Sequence, residues 1–412
     1  EILRCLVGSE MCIRDRNKPL WSVGGSWNIY KEKFFQADFV DMLKLRASYG
    51  IGGNIGRNTA PYLIASYYDS SLVDGMAGSV NTPPNKDIRW EKTTTVNVGV
   101  DFALFRHRLS GTIEYYNKYS VDLLAAINGS PTQGFGYTTL MTNNGKMVNR
   151  GVEITLSGEI IRQKDFSWNA SLLYAFNRNK VKHISVQPSL WDSRISMPTS
   201  YPMVGKPLYG IYAYKWAGLN ENGDPQVYDA ENNVTSGPAR DYHALVYCGT
   251  TVPIHNASLT NVLRYKGFEF SAMLILDAGH KLRSSNIPSI NMSNGRITST
   301  AKGIVDRWTQ PGDVTDVPRL LFSNDTENFN THRTELYRYS DLFVYDASNI
   351  RLSNISLAYR VPAHWCKKIS LSGARLQFNV ENVATFAFDS KANYDLGGKV
   401  KPNYVWGLYL NF

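Results

Sequence analysis

From Leu20 onward, apolar side chains recur at every second position, the period of a strand whose two faces meet different surroundings. Between Thr95 and Leu104 one phase reads Val96, Val98, Val100, Phe102, Leu104 and the other Thr95, Asn97, Gly99, Asp101, Ala103. Leu109, Ile113 and Tyr115 continue it against Ser110, Thr112 and Glu114. Val152, Ile154, Leu156 and Ile160 oppose Glu153, Thr155, Ser157 and Glu159, and Ala374, Leu376, Phe378 and Val380 oppose Arg375, Gln377, Asn379 and Glu381. Further strands are predicted at about 20–30, 43–49, 166–177, 209–219, 225–230, 254–265, 268–277, 348–360 and 404–412, about thirteen in all.

Alternation alone does not say which face meets water, because a soluble sandwich also buries one phase and wets the other. The connections carry more information. Arg106-His107, Gln163-Lys164-Asp165, the Asn220 to Asp224 turn with its Asn222-Gly223 pair, and Lys266-Gly267 are hairpin-sized. The segments at about 50–92, 119–147, 178–208, 231–253, 278–347 and 383–403 are long and rich in Gly, Pro, Ser and Asn, more than a compact soluble domain tolerates. Tracing the strands up and down sorts the tight turns to one end of the sheet and the long loops to the other, provided 225–230 is a strand. The predicted fold is therefore all-β: part of a transmembrane antiparallel β-barrel with short periplasmic turns and long extracellular loops, its strands near the ~9–11 residues that cross a bilayer at a tilt.

The final strand agrees. Tyr404, Trp406, Leu408, Leu410 and Phe412 fall on one face, and the sequence stops on an aromatic, as a barrel-assembly signal strand does. In a soluble protein the same strand would expose an aggregation-prone edge, which barrel closure removes.

Composition narrows the choice. The 412 residues suffice for two or three soluble domains or one very large sheet; charged residues are only 19%, and aromatics reach 12%. No stretch approaches the roughly 18–20 apolar residues of a spanning helix, so any membrane crossing falls to strands. The net charge of +9 is scattered singly, without the basic track that nucleic-acid binding needs. Cys5, Cys12, Cys248 and Cys366 form no CxxC pair. Residues 1–16, EILRCLVGSEMCIRDR, share neither the alternation nor the aromatic content of the rest of the chain, and are expected to be a non-native tail.

Six ordered stretches carry a resemblance: LKLRASYGIGGN at Leu43 to Asn54, RWEKTTTVNVGVDFALFRHRL at Arg89 to Leu109, NNGKMVNRGVEITL at Asn143 to Leu156, GKPLYGIYAYKWAGLNENGDP at Gly205 to Pro225, RLSNISLAY at Arg351 to Tyr359, and FNVENV at Phe378 to Val383. In order and spacing they resemble the SusC/RagA-type TonB-linked outer-membrane transporters of Gram-negative bacteria. The resemblance implies a plugged barrel of about 22 strands, a SusD-like lipoprotein lid, energy from the TonB complex, and oligosaccharide or peptide cargo. It further implies that 17–412 is the C-terminal part of the barrel, and that the plug, the TonB-contacting box and roughly nine early strands belong upstream, counting down from that barrel size. A passive porin-like channel and a secreted β-rich adhesin or carbohydrate-binding protein are the alternatives.

Signs of catalysis are weak. Glu153 and Glu159 share a strand face, but six residues at ~3.3 Å set them about 20 Å apart, beyond the ~5–9.5 Å of glycoside hydrolysis; they read as lumen-facing polar groups, as do Asp101, Glu114, Arg375 and Glu381. The seven histidines show no metal-binding spacing, and GIGGNIG at Gly50 to Gly56 leads to Pro61 instead of a helix, so no metal or cofactor is implied. Asp229, Glu231 and Asn233 imitate the start of a calcium loop, but Val234 stands where the Gly belongs and Arg240 where the bidentate Glu belongs. Tyr115, Tyr116, Tyr119, Trp168, Tyr174, Tyr209, Tyr212, Tyr214 and Trp216 read as membrane-interface girdles in preference to sugar-stacking platforms. Phe135, Tyr137, Trp191 and Tyr201, in the long loops, are the candidate ligand contacts.

Overall fold

A computed structural model describes residues 19–54, 62–70, 75–82, 84–85, 87–128, 139–186, 193–237, 241–292, 301–322, 331–368, 370–396 and 401–412; the tail at 1–16 lies outside them. Eleven strands build one antiparallel sheet: β1 (Trp21–Asn28), β2 (Val40–Asn54), β3 (Glu91–Leu104), β4 (Leu109–Asn128), β5 (Thr139–Arg162), β6 (Phe166–His183), β7 (His255–Tyr265), β8 (Phe268–Ala278), β9 (Asn349–Arg360), β10 (Gly373–Ala387) and β11 (Asn403–Asn411). Each pairs with its neighbours in that order, a continuous up-and-down wall. The connections 29–39, 105–108, 163–165, 266–267 and 361–372 fall at one end, and 55–90, 129–138, 184–254, 279–348 and 388–402 at the other, which is the predicted sorting.

The predicted strands 209–219 and 225–230 are not in the wall, so the thirteen become eleven. They form Gly210–Tyr214, Trp216–Leu219 and Pro225–Tyr228, of five, four and four residues, in small sheets within the loop between β6 and β7. They meet a protein core instead of lipid: Gly210–Tyr214 is buried on both faces, and Tyr212, Tyr214 and Val227 join one apolar cluster. Because both segments leave the wall together, the up-and-down parity of the rest is preserved, and the Asn220 to Asp224 turn moves to the long-loop end.

The ladder registers align the apolar phases of successive strands into rows that run around the wall. One row passes through Trp27, Leu45, Val100, Ile113, Ile154, Tyr174, Ala257, Leu276, Ile350 and Phe386. A second runs through Phe102, Gly111, Leu156, Leu172, Leu259 and Leu274. Among the described residues no second sheet is stacked over these rows. Val98 is 47% exposed, Leu408 61% and Trp406 78%, where a sandwich would bury them. The apolar phase is the outer surface of a curved wall, and the opposite phase its polar inner face.

Several strands outrun the length a membrane requires. β5 spans 24 residues and β4 spans 20, against the ~9–11 needed to cross. Toward the long-loop end the rows change character: Tyr49 and Val96 are followed by Asn117, Arg150 and Arg178 on the same phase. There both faces meet water, so the apolar period fades while the backbone ladder continues; for this reason the predicted loop 119–147 shrinks to 129–138.

Close approach dictates one glycine on the inner face. A Cβ on Gly151 would collide with the phenol end of Tyr116 and the Phe176 carbonyl oxygen, so the Tyr116 side chain occupies the space over bare backbone.

A charge on the apolar phase should cost ~2–4 kcal/mol near mid-membrane, whereas the inner face is already wet. In the full-length protein, Ile154→Lys is expected to lower the heat-modifiable folded fraction sharply, and Thr155→Lys to leave it unchanged, by gel migration of unheated samples.

Candidate functional site

Two surfaces can meet a solute: the inner face of the wall and the assembly formed by the long loops. On the inner face the polar side chains pair across strands. Arg46 bridges Asp101, at 2.9 Å, and Glu114; Thr112 Oγ1 also donates to Asp101. Glu114 stands directly opposite Glu153 on β5, an unfavourable like-charge pair that Arg46 offsets. Further along, Asp277 takes Arg351 at 2.9 Å and Asn256 at 2.7 Å, and Glu269 takes Arg264 at 2.7 Å and Arg375 at 3.1 Å. Glu159 pairs with Arg162 on its own strand. The carboxylates singled out in the sequence are thus tied into ion pairs or spread along a polar wall.

The outer assembly holds the buried apolar clusters. Tyr212, Tyr214, Val227, Ala244, Leu245 and Leu336 form one, and Ile290, Tyr337 and Phe343 another; Trp216 packs against both. Tyr212, Tyr214 and Trp216 are therefore loop core and not membrane girdle, a correction that follows from their burial between two loops distant in sequence. Tyr115, Tyr119 and Tyr174 do lie on the outward phase of the wall, whereas Tyr116 lies on the inner one, over Gly151.

A buried charge cluster joins the two loops. Asp224, after the tight turn, accepts from Arg319 Nη2 at 2.8 Å and from Arg333 Nε at 3.1 Å. The Arg333 side chain is only 3% exposed and also donates to the carbonyls of Ile290 and Arg319 and to Asn291. Burial pulls its guanidinium below the ordinary value, against the opposing pull of Asp224. Gly223 has φ +72 and lies against the Trp308 ring, where a Cβ would clash. Arg283 pins the segment after β8 to the same core by donating to the carbonyls of Tyr212, Arg338 and Ser340. Nothing in the local sequence marks Arg333, which sits in the polar helix Thr331–Arg338 and meets Asp224 across 109 residues.

Of the individually predicted residues, Tyr404, Trp406, Leu408 and Leu410 share the outward face of β11, paired with Val380, Phe378, Leu376 and Ala374; the Phe378 and Trp406 rings lie 4.2 Å apart. Phe412 lies just beyond the last ladder pair, and its carbonyl accepts from Ser372 Oγ. Tyr201 is 6% exposed, with its carbonyl taking Arg194 Nε. Phe135, Tyr137 and Trp191 lie outside the described residues. The calcium-like Asp229 spends its carboxylate on the Asn233 N–H, closing a turn with Asn232 at φ +65. Among the described residues no group of three or more His, Cys, Asp or Glu is gathered for a metal ion.

Residues 12–383 match the family described as TonB dependent receptor-like, beta-barrel. The TonB-dependent receptor P3 of Formosa agariphila is 26% identical over 411 residues, covering 93% of this chain and 39% of that protein. The TonB-dependent receptor SusC of Bacteroides thetaiotaomicron is 26% identical over 383 residues, covering 88% of this chain and 36% of its own length. The chain thus spans well under half the length of these relatives. Among solved structures, the RagAB peptide transporter superposes with a TM-score of 0.76 at 23% identity, over 95% of this chain and 43% of that one.

Breaking a buried ion pair by removing one partner costs about 3–5 kcal/mol. Arg333→Met is expected to open the outer assembly to limited proteolysis within 184–254 and 279–348 while the wall keeps its heat-modifiable migration. Burial, reinforced by Asp341 and only partly opposed by Arg283 and Lys281, pushes the Cys248 thiol up to about 11. Its alkylation by iodoacetamide at pH 8 should be far slower in the folded protein than after urea unfolding, because the thiolate is the nucleophile.

Proposed function

Because this chain belongs to the TonB-dependent receptor β-barrel family, we propose that it supplies the C-terminal wall and outer loops of a SusC/RagA-type importer in the outer membrane of a Gram-negative bacterium. Residues 17–412 belong to that barrel. The observation that carries this reading is the division of the wall: apolar rows outside, and inside a polar lattice of paired charges. Oligosaccharides are the cargo that best suits such a surface, with peptides second; the structurally similar RagAB is a peptide transporter.

In the whole protein, a SusD-like lipoprotein closes over the long-loop end and delivers cargo. The TonB complex then pulls an upstream plug so that cargo passes along the inner face. The interlocked outer assembly gives the lid a rigid rim to seat on. Phe135, Tyr137 and Trp191 are the loop aromatics assigned to cargo contact, whereas Tyr201 is buried within the connection between β6 and β7. The chemistry is transport, with no catalytic step.

Uptake of fluorescent oligosaccharides and peptides by cells carrying the full-length protein should vanish on deletion of TonB and fall strongly on deletion of the partner lipoprotein. Uptake that survives loss of TonB would establish a passive channel instead.

A further inference from the structure

The outward phase of the regular ladders holds no Asp or Glu. Its charged members are Lys92, Arg150, Arg178 and Lys180, all cations, and all in the rows toward the long-loop end, where Arg150 and Arg178 continue the row of Tyr49 and Val96. Arg150 and Arg178 are direct cross-strand partners. Two adjacent arginines on one face repel unless an anion lies between or above them.

The cluster borders a cavity of about 420 Å³ lined in part by Phe176, Arg178, Lys180, Lys206, Tyr247 and His255. The cavity arises because β7 begins at His255, opposite Phe176, so the higher part of β6 loses its wall neighbour. The segment around Lys206 covers that edge instead, its carbonyl accepting from the Val181 N–H. The Lys206 ammonium rests 4.9 Å from the centre of the Tyr247 ring, and Tyr174, hydrogen-bonded to His255 at 2.8 Å, forms the aromatic rim below. No carboxylate pairs with Arg150, Arg178, Lys180 or Lys206 among the described residues.

We propose that this cavity and its cations bind the phosphorylated headgroup of a glycolipid in the outer leaflet, holding it against the wall between β5, β6 and the Lys206 segment. The position selects the ligand. An apolar belt lies directly beneath for acyl chains, an aromatic rim marks the interface, and the cations stand where a headgroup phosphate sits. Soluble cargo would meet the inner face, which the outward phase does not reach. The proposal rests on the membrane-wall reading.

The test uses purified full-length protein in detergent, with lipid A bearing both phosphates, its dephosphorylated form, and inorganic phosphate as competitor, read by native mass spectrometry. The phosphorylated lipid is expected to bind in preference. At roughly 1 kcal/mol per surface cation, the combined Arg150→Gln, Arg178→Gln, Lys180→Gln variant should lose about 100-fold in affinity. Arg150→Lys with Arg178→Lys should retain binding within a few fold, and Lys44→Gln on the inner face should not change it. Equal binding of the dephosphorylated lipid, an unaffected triple variant, or displacement by inorganic phosphate at concentrations matching the lipid would overturn the site. Heat-modifiable migration, measured on every sample, separates failure of the site from failure of the wall.

Discussion

Inside a bilayer no water is available to hydrogen-bond the backbone, so every N–H and C=O of a spanning segment must find its partner in the protein. A closed run of antiparallel strands meets that demand only if each strand pairs on both sides. Here each of the nine interior strands does so, in chain order. The edges are β1 and β11, and the apolar rows continue to both of them, through Trp27 at one and Trp406 and Leu408 at the other. Side-chain chemistry then follows from pleating: one phase meets lipid, the other water, and a one-residue slip in any ladder would exchange them.

The long-loop end obeys a different physics. There the chain can bury apolar groups in the ordinary way, and the two longest connections do so together around Tyr212, Tyr337 and Trp216. Burying Arg333 beside Asp224 costs desolvation, and it is compensated by four donated hydrogen bonds shared among Asp224, Ile290, Asn291 and Arg319 and by the second cation-carboxylate contact from Arg319. The result is an interlocked rim of loops above a wall whose inner face is polar.

Much of this was legible in the residues. The period of two located all eleven wall strands, and the contrast between Lys266-Gly267 and the long 278–347 segment gave the sorting of connections. Alternation failed where its cause changed. At Gly210–Tyr214 a protein core replaced lipid, so the pattern persisted in the wrong place; above Val152 and Phe176 lipid gave way to water, so the strands outlasted the pattern. The Asp224 cluster was invisible because its members lie about a hundred positions apart and each looks like an ordinary surface charge. The loop aromatics at 135, 137 and 191 lie outside the described residues and stand as proposals.

The most direct test of lipid contact is site-directed spin labelling of the full-length protein in nanodiscs, one cysteine at a time from Val96 to Ala103. Collision with oxygen, which concentrates in lipid, should rise at Val96, Val98, Val100 and Phe102, and collision with a water-soluble nickel complex at the four positions between. Accessibility to both reagents that is flat along the segment, or low at every even position, would place those side chains in a packed protein interior and contradict the account.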